Sequence, residues 1–201
     1  MRNYCLPFTL LLLVFSLPVF SQEKYDLVNS GEILAQAGKM YDDGKFKEAI
    51  NLFKTVSRSD TNYADILHEL AYTNYLDSNY AASGQYAKEG LKMFPEKASE
   101  WYMLLGNAAD AAEKREEAIS WYDKTLQLNP YDYFTWFNKG IALYNADRAD
   151  DAMECFKKAV LIYPYHASSH FFMGVICAEK GQLPQAMLSF TTNLLMNPEN
   201  R

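Results

Sequence analysis

The chain has 201 residues, 49% apolar and 22% charged, with 9 Gly and 7 Pro. That composition excludes collagen-like, low-complexity and largely disordered classes. Its 19 Lys and Arg face 25 Asp and Glu for a net charge of −6, which leaves no basic footprint for counterion release and disfavours DNA and RNA as partners.

The first element is an address. Arg2 precedes an almost unbroken apolar run, Leu6 to Phe20, interrupted by Pro7 and Pro18. The run is short of the roughly 20 residues that span a bilayer, so it reads as a secretory signal, with an uncleaved anchor as the competing reading. Val19 and Ser21 place a cut before Gln22, making residues 1–21 a signal peptide and 22–29 a short linker. Cys5 precedes the apolar run and is not placed as a lipoprotein acceptor. Without Arg2, 18 basic residues face 25 acidic ones and no polybasic patch remains for anionic membranes. Of the cysteines, Cys155 and Cys177 remain after cleavage, in a compartment that permits pairing; both free buried thiols and a bridge stay open.

Residues 30–201 form the next domain, and it repeats. Ala49, Ser83, Ala118, Ala152 and Ala186 are separated by 34, 35, 34 and 34 residues. Three further columns keep this register: Ala37, Ala71, Gly106, Gly140 and Gly174; Phe53, Ala87, Tyr122, Phe156 and Phe190; and Pro95, Pro130, Pro164 and Pro198. The extra residue falls between Pro95 and Tyr102 each time, in a turn between units. A large column runs through Ile33, Leu67, Tyr102, Trp136 and His170, with Trp101 competing for the Tyr102 slot.

Each unit predicts two helices of about a dozen residues. In the fourth, Trp136, Gly140 and Leu143 recur at helical spacing, a break falls near Ala146 and Asp147, and Ala152, Phe156 and Ala159 begin a second stripe that ends at Pro164. Small residues such as Gly140 and Ala152 let helix backbones approach, while Trp136 and Phe156 fill the space between them. Gly44 and Gly181 suit the turn inside the first and last units, and Pro184 the first turn of a helix. Ser83, Ala87 and Gly90 make the second helix of unit two unusually small, which calls for either close or loose packing.

Trp136, Gly140, Ala152, Phe156, Ala159 and Pro164 match in order the pattern of the tetratricopeptide repeat family, which the chain resembles over units at about 30–63, 64–98, 99–132, 133–166 and 167–200. Lys139 stands where the family pattern has leucine, and Thr61 where it has proline. The resemblance implies an all-α fold, an α-solenoid wound as a right-handed superhelix. It also implies a non-catalytic scaffold whose first helices line a concave groove that receives a peptide or helix of another protein. Some members grip acidic C-terminal peptides with basic groove residues; the corresponding Leu34, Gly38, Glu69 and Leu104 are not basic.

The residues add a second apolar stripe. Phe134, Phe137, Ile141 and Tyr144 lie on a face distinct from Trp136, Gly140 and Leu143, and a helix apolar on two faces must bury both. Phe171, Val175 and Ala178 continue it 34 residues after Phe137, Ile141 and Tyr144, and unit two contributes Tyr72, Tyr75 and His68. This stripe is read as a docking groove; the competing reading has Phe137 and Phe171 stacked on each other across adjacent units. Asp42, Asp65, Glu100, Asp110 and Glu179 fall on the same face without Lys or Arg, which calls for an apolar partner with basic flanks.

At the far end no charged residue occurs from Gln182 to Pro198, although solenoids need polar caps. The expectation is further chain or self-association there. His166 and His170, four residues apart, lack the additional ligands of a zinc site. No phosphate-cradling loop, nucleophile elbow or HExxH motif occurs in the sequence, so neither enzyme activity nor a metal or other cofactor is expected. The signal and the family resemblance together place the protein across the inner membrane, in a bacterial periplasm. A sensory or regulatory segment of a longer signalling or envelope-assembly protein is the alternative.

Overall fold

The computed structural model describes residues 29–196. The expected signal peptide at 1–21, the linker through residue 28 and residues 197–201 lie outside the described residues. Among these residues the chain forms α-helices and no strand. They are α1 (Ser30–Asp42), α2 (Phe46–Phe53), α3 (Tyr63–Leu76), α4 (Tyr80–Met93), α5 (Ala98–Ala111), α6 (Arg115–Leu128), α7 (Tyr133–Asn145), α8 (Ala149–Ile162), α9 (Ala167–Glu179) and α10 (Leu183–Met196). Each antiparallel pair packs on the next, so the fold is an α-solenoid of five helix pairs wound as a right-handed superhelix. None of these helices is long and apolar enough to cross a membrane.

The repeat columns act as the spacing requires. A Cβ added to Gly140 would stand 2.6 Å from the Phe156 ring, and one added to Gly174 would stand 2.7 Å from Phe190. Each glycine therefore lets the first helix seat on the aromatic ring of its own second helix. In unit two the same slot holds Ala71 and Ala87, both fully buried, so that pair closes through small residues.

The small second helix of unit two packs closely, and a neighbour fills the space. A Cβ on Gly90 would lie 2.6 Å from the ring of Trp101, whose side chain is 0% exposed. Trp101, not Tyr102, enters the core, and its Nε1–H donates to the Phe94 carbonyl at 3.0 Å. Trp136 donates likewise to Pro130 at 2.9 Å and His170 Nε2 to Pro164 at 2.9 Å, so these three side chains tie α5, α7 and α9 to the turns before them. Tyr102 instead stacks on Trp121, with ring centroids 5.6 Å apart. The extra residue of this unit is absorbed by a 3-10 turn, Pro95–Lys97.

The first unit departs from the expected helix length. α2 has only 8 residues and ends at Phe53. The following segment is rich in side chains that compete for backbone hydrogen bonds: Thr55 Oγ1 donates to the Leu52 carbonyl and Asp60 accepts from the Asn62 amide. On either side of Thr61, which stands where other units place proline, Asp60 accepts from Ser30 at 2.9 Å and Asn62 donates to the same hydroxyl at 3.0 Å, pinning the turn to α1.

The turn inside each pair needs one left-handed residue. Gly44 and Gly181 take it at φ +67° and +70°, as expected. Ser78, Glu113 and Asp147 occupy the same column in the middle units at φ 59°, 60° and 58°, without glycine's freedom.

Ser83 is fully buried in the column that is alanine in every other unit, and its hydroxyl has no hydrogen-bond partner among the described residues. Ser83→Ala removes an unsatisfied buried group and is expected to stabilise the protein by about 1 kcal/mol, measured as a higher urea midpoint with an unchanged slope.

Cys155 and Cys177 are free and buried. Burial pushes the Cys155 thiol up to about 11, which suppresses its thiolate.

Candidate partner-binding groove

The apolar stripe lies on the first helices α3, α7 and α9, beside the glycine column. It divides into exposed and packed members. Tyr72, Phe134 and Phe171 are 40%, 43% and 44% exposed, large apolar surfaces open to a partner. Tyr75, Phe137, Ile141, Tyr144 and Val175 are half-buried.

Phe137 is anchored by rings on three sides: His166 at 4.7 Å, Phe156 at 5.8 Å and Phe172 at 6.0 Å between centroids. Its neighbour across the unit boundary is therefore Phe172. Phe172 also stacks on Phe156 at 5.4 Å and meets Tyr144 at 5.9 Å. Phe171 leans on Phe172 and Phe190 of its own unit, at 5.5 and 5.8 Å. In α3, Tyr72 and Tyr75 lie nearly parallel, 16° apart, at 6.5 Å.

A tyrosine and histidine rim, not singled out from the sequence, extends this surface. Tyr133 lies 4.8 Å from Tyr163 and 5.2 Å from His166, and Tyr163 meets Tyr165 at 6.2 Å. Tyr131 and Tyr165 are exposed. Both follow a column proline, Pro130 and Pro164, and this repeated Pro-Tyr pair is the sequence signal that marks them.

His166 sits among these rings at the start of α9, its Nδ1 2.7 Å from Ser169 Oγ. Burial, aided by the nearby His170, holds its pKa below the ordinary histidine value of 6.5. Because the folded state resists this proton, His166 favours folding fully above that unfolded value. The contribution fades as pH falls through the lowered folded value. The thermal midpoint is expected to drop below pH 6.5 more steeply in the native protein than in His166→Gln, measured by circular dichroism across pH 7.5 to 5.

The acidic face is partly neutralised from within. Lys97, in the turn before α5, reaches Asp65 at 2.7 Å, correcting the expectation that no basic residue serves this face. Glu179 accepts from the Tyr144 hydroxyl at 2.5 Å, and Glu69 from Tyr41 at 2.6 Å. The His68 hydrogen bond and that from Tyr41 hold the Glu69 carboxyl below its usual range against the opposing effect of burial. Glu100 is exposed. Asp110 is half-buried, and burial raises its carboxyl against the pull of Arg115. Among the described residues no group of three His, Cys, Asp or Glu side chains is placed to hold a metal ion.

Residues 85–133 and 133–166 match tetratricopeptide repeat family models. With the helix-pair fold, these matches identify residues 85–166 as tetratricopeptide repeats, a repeat type that supports protein–protein interaction as the class of function. No catalytic family is among them. No curated protein matches the chain. Similar solved structures include MamA, at 21% identity and TM-score 0.69 over 82% of this chain and 95% of that one. A second is MamA 41-end from Desulfovibrio magneticus RS-1, at 17% identity and TM-score 0.70 over 87% and 97%. At such identities the likeness is one of fold.

Proposed function

We propose that the protein is an exported, non-catalytic scaffold that binds an apolar peptide or helix in its aromatic first-helix groove. The observation that carries the reading is the exposure of Tyr72, Phe134 and Phe171 along one side of a repeat array whose other large groove residues are anchored by packing. Exposed aromatics backed by rigid neighbours supply contact area at low entropic cost. Selection of a displayed random peptide library against the protein tests it. Enriched peptides rich in aliphatic and aromatic residues are expected, with binding competed by one another. Failure to enrich any sequence contradicts the reading.

Export rests on the Arg2 start and the Leu6 to Phe20 run, and the reading of a bacterial periplasm joins that signal to the family resemblance. Protein isolated from its native source is expected to begin at Gln22; an intact Met1 in the folded material contradicts cleavage.

One observation favours a second reading, in which these repeats are a regulatory segment of a larger assembly. Leu183, Met187, Leu188, Leu194 and Leu195 are exposed on α10. Met187 and Leu194 stand in the columns where α6 carries Ile119 and Leu126, which are buried. Further repeats or a second copy of the chain cover such a face.

A further inference from the structure

Where the fourth helix pair meets the fifth, four rings touch in sequence. Tyr133 at the start of α7 lies 6.4 Å from Phe134 and 4.8 Å from Tyr163 at the end of α8, and Tyr163 lies 6.2 Å from Tyr165, between ring centroids. Three of these rings are open to solvent: Phe134 is 43% exposed, Tyr163 41% and Tyr165 71%. Behind them His166 packs on Tyr133 at 5.2 Å and on Phe137 at 4.7 Å, which fixes this ridge to the wall of the groove. Successive rings are tilted by 81°, 43° and 65°, so the ridge presents clefts between rings and no single flat face.

The two segments that build it are nearly free of charge. No Asp, Glu, Lys or Arg occurs from Ala159 to Ala178, and Asp132 alone is charged from Leu128 to Phe137. The Asp132 carboxylate is consumed at the start of α7, accepting from the amides of Phe134 and Thr135 and, at 2.7 Å, from the Thr135 hydroxyl. Tyr41, Tyr122 and Tyr144 donate their hydroxyls to neighbouring side chains, whereas among the described residues those of Tyr133, Tyr163 and Tyr165 make no hydrogen bond.

We infer that Phe134, Tyr133, Tyr163 and Tyr165 form a docking surface for a proline-rich segment of a partner protein, held as a polyproline II helix. Such a chain makes no internal hydrogen bonds, and each proline lacks an N–H while leaving its carbonyl open. Its ligand chemistry is therefore ring clefts and hydroxyl donors without a counter-charge, the combination this ridge carries. A bound α-helix uses most of its carbonyls within itself, and a charged peptide meets no opposite charge in these segments. Because the proline-rich chain is ordered before it binds, docking costs it little entropy. The surface adjoins the groove of the proposed function and shares Phe134 with it, but the inference stands on tyrosines outside that groove.

The test titrates the folded protein into fluorescein-labelled octaproline, about 25 Å long as polyproline II, and follows anisotropy. The all-D enantiomer has the same composition and the opposite helical hand, and the L form is expected to bind at least about tenfold more tightly. Tyr163→Ala with Tyr165→Ala is expected to lower affinity for the L form at least about tenfold, with the thermal midpoint nearly unchanged because both rings lie at the surface. Tyr163→Phe with Tyr165→Phe keeps the rings and removes the donors, for an expected loss of about fivefold. Phe171→Glu, within the groove, is expected to leave octaproline binding intact, which separates this surface from the groove. Equal binding of the two enantiomers, or full affinity in the double alanine variant, overturns the inference. Recruitment to phosphatidylcholine vesicles through the same tyrosines, without octaproline binding, overturns it in favour of a lipid surface.

Discussion

Trp101→Ala is expected to destabilise the protein by about 3–5 kcal/mol, the usual cost of deleting a fully enclosed tryptophan. The side chain is 0% exposed, fills the volume above Gly90 and holds the turn through the Phe94 carbonyl. Gly90→Ala in the native background drives a methyl to 2.6 Å from that ring and is expected to cost about 1–3 kcal/mol. In the Trp101→Ala background the same substitution meets no ring. Alanine's helix propensity then makes it neutral or stabilising by up to about 1 kcal/mol. A double-mutant cycle by urea denaturation reads the coupling directly. Independent, additive losses contradict the packing described.

Phe171→Glu with Phe134→Glu is expected to lower groove affinity at least about 100-fold while leaving the helical spectrum and thermal midpoint nearly unchanged. Both side chains are more than two-fifths exposed, at 44% and 43%, so a charge at either position stays solvated without a partner. On binding, each carboxylate must be buried against an apolar ligand without a counter-charge, which costs several kcal/mol. Phe137→Glu behaves differently. Phe137 is packed against Phe156, Phe172 and His166, so its loss of binding is expected to accompany a loss of stability. Isothermal titration with a selected peptide and thermal melts of the same samples separate the two effects. Retained affinity in the folded Phe134 and Phe171 double variant contradicts a groove role for these rings.

The repeat register was legible because its columns carry opposite sizes at one spacing. Gly140 against Phe156 and Gly174 against Phe190 could be paired from their spacing alone. The slot shared by Trp101 and Tyr102 was not legible. Two adjacent aromatics fit one period, and the choice depends on Gly90, a residue of the preceding unit. Likewise, register placed Phe137 and Phe171 on one stripe, while the identity of the contact across the boundary depends on how α9 is turned, and Phe172 makes it. Periodicity also misses charges that arrive from turns. Lys97 lies outside every first helix yet reaches Asp65, which is why the acidic face reads as more open in sequence than in space. The short α2 had a signal in Thr55, Ser57, Ser59 and Asp60, whose side chains favour turns over helix.

The central claim, that recognition occurs on the first-helix aromatics, is tested most directly by site-specific photocrosslinking. Benzoylphenylalanine replaces Phe171 in one sample and Leu161 in another; Leu161 lies on the second helix α8 and is 76% exposed, so neither replacement disturbs the core. Irradiation in extract of the native source is expected to give a discrete adduct from position 171 and none from position 161. An adduct from 161 with none from 171 contradicts the account.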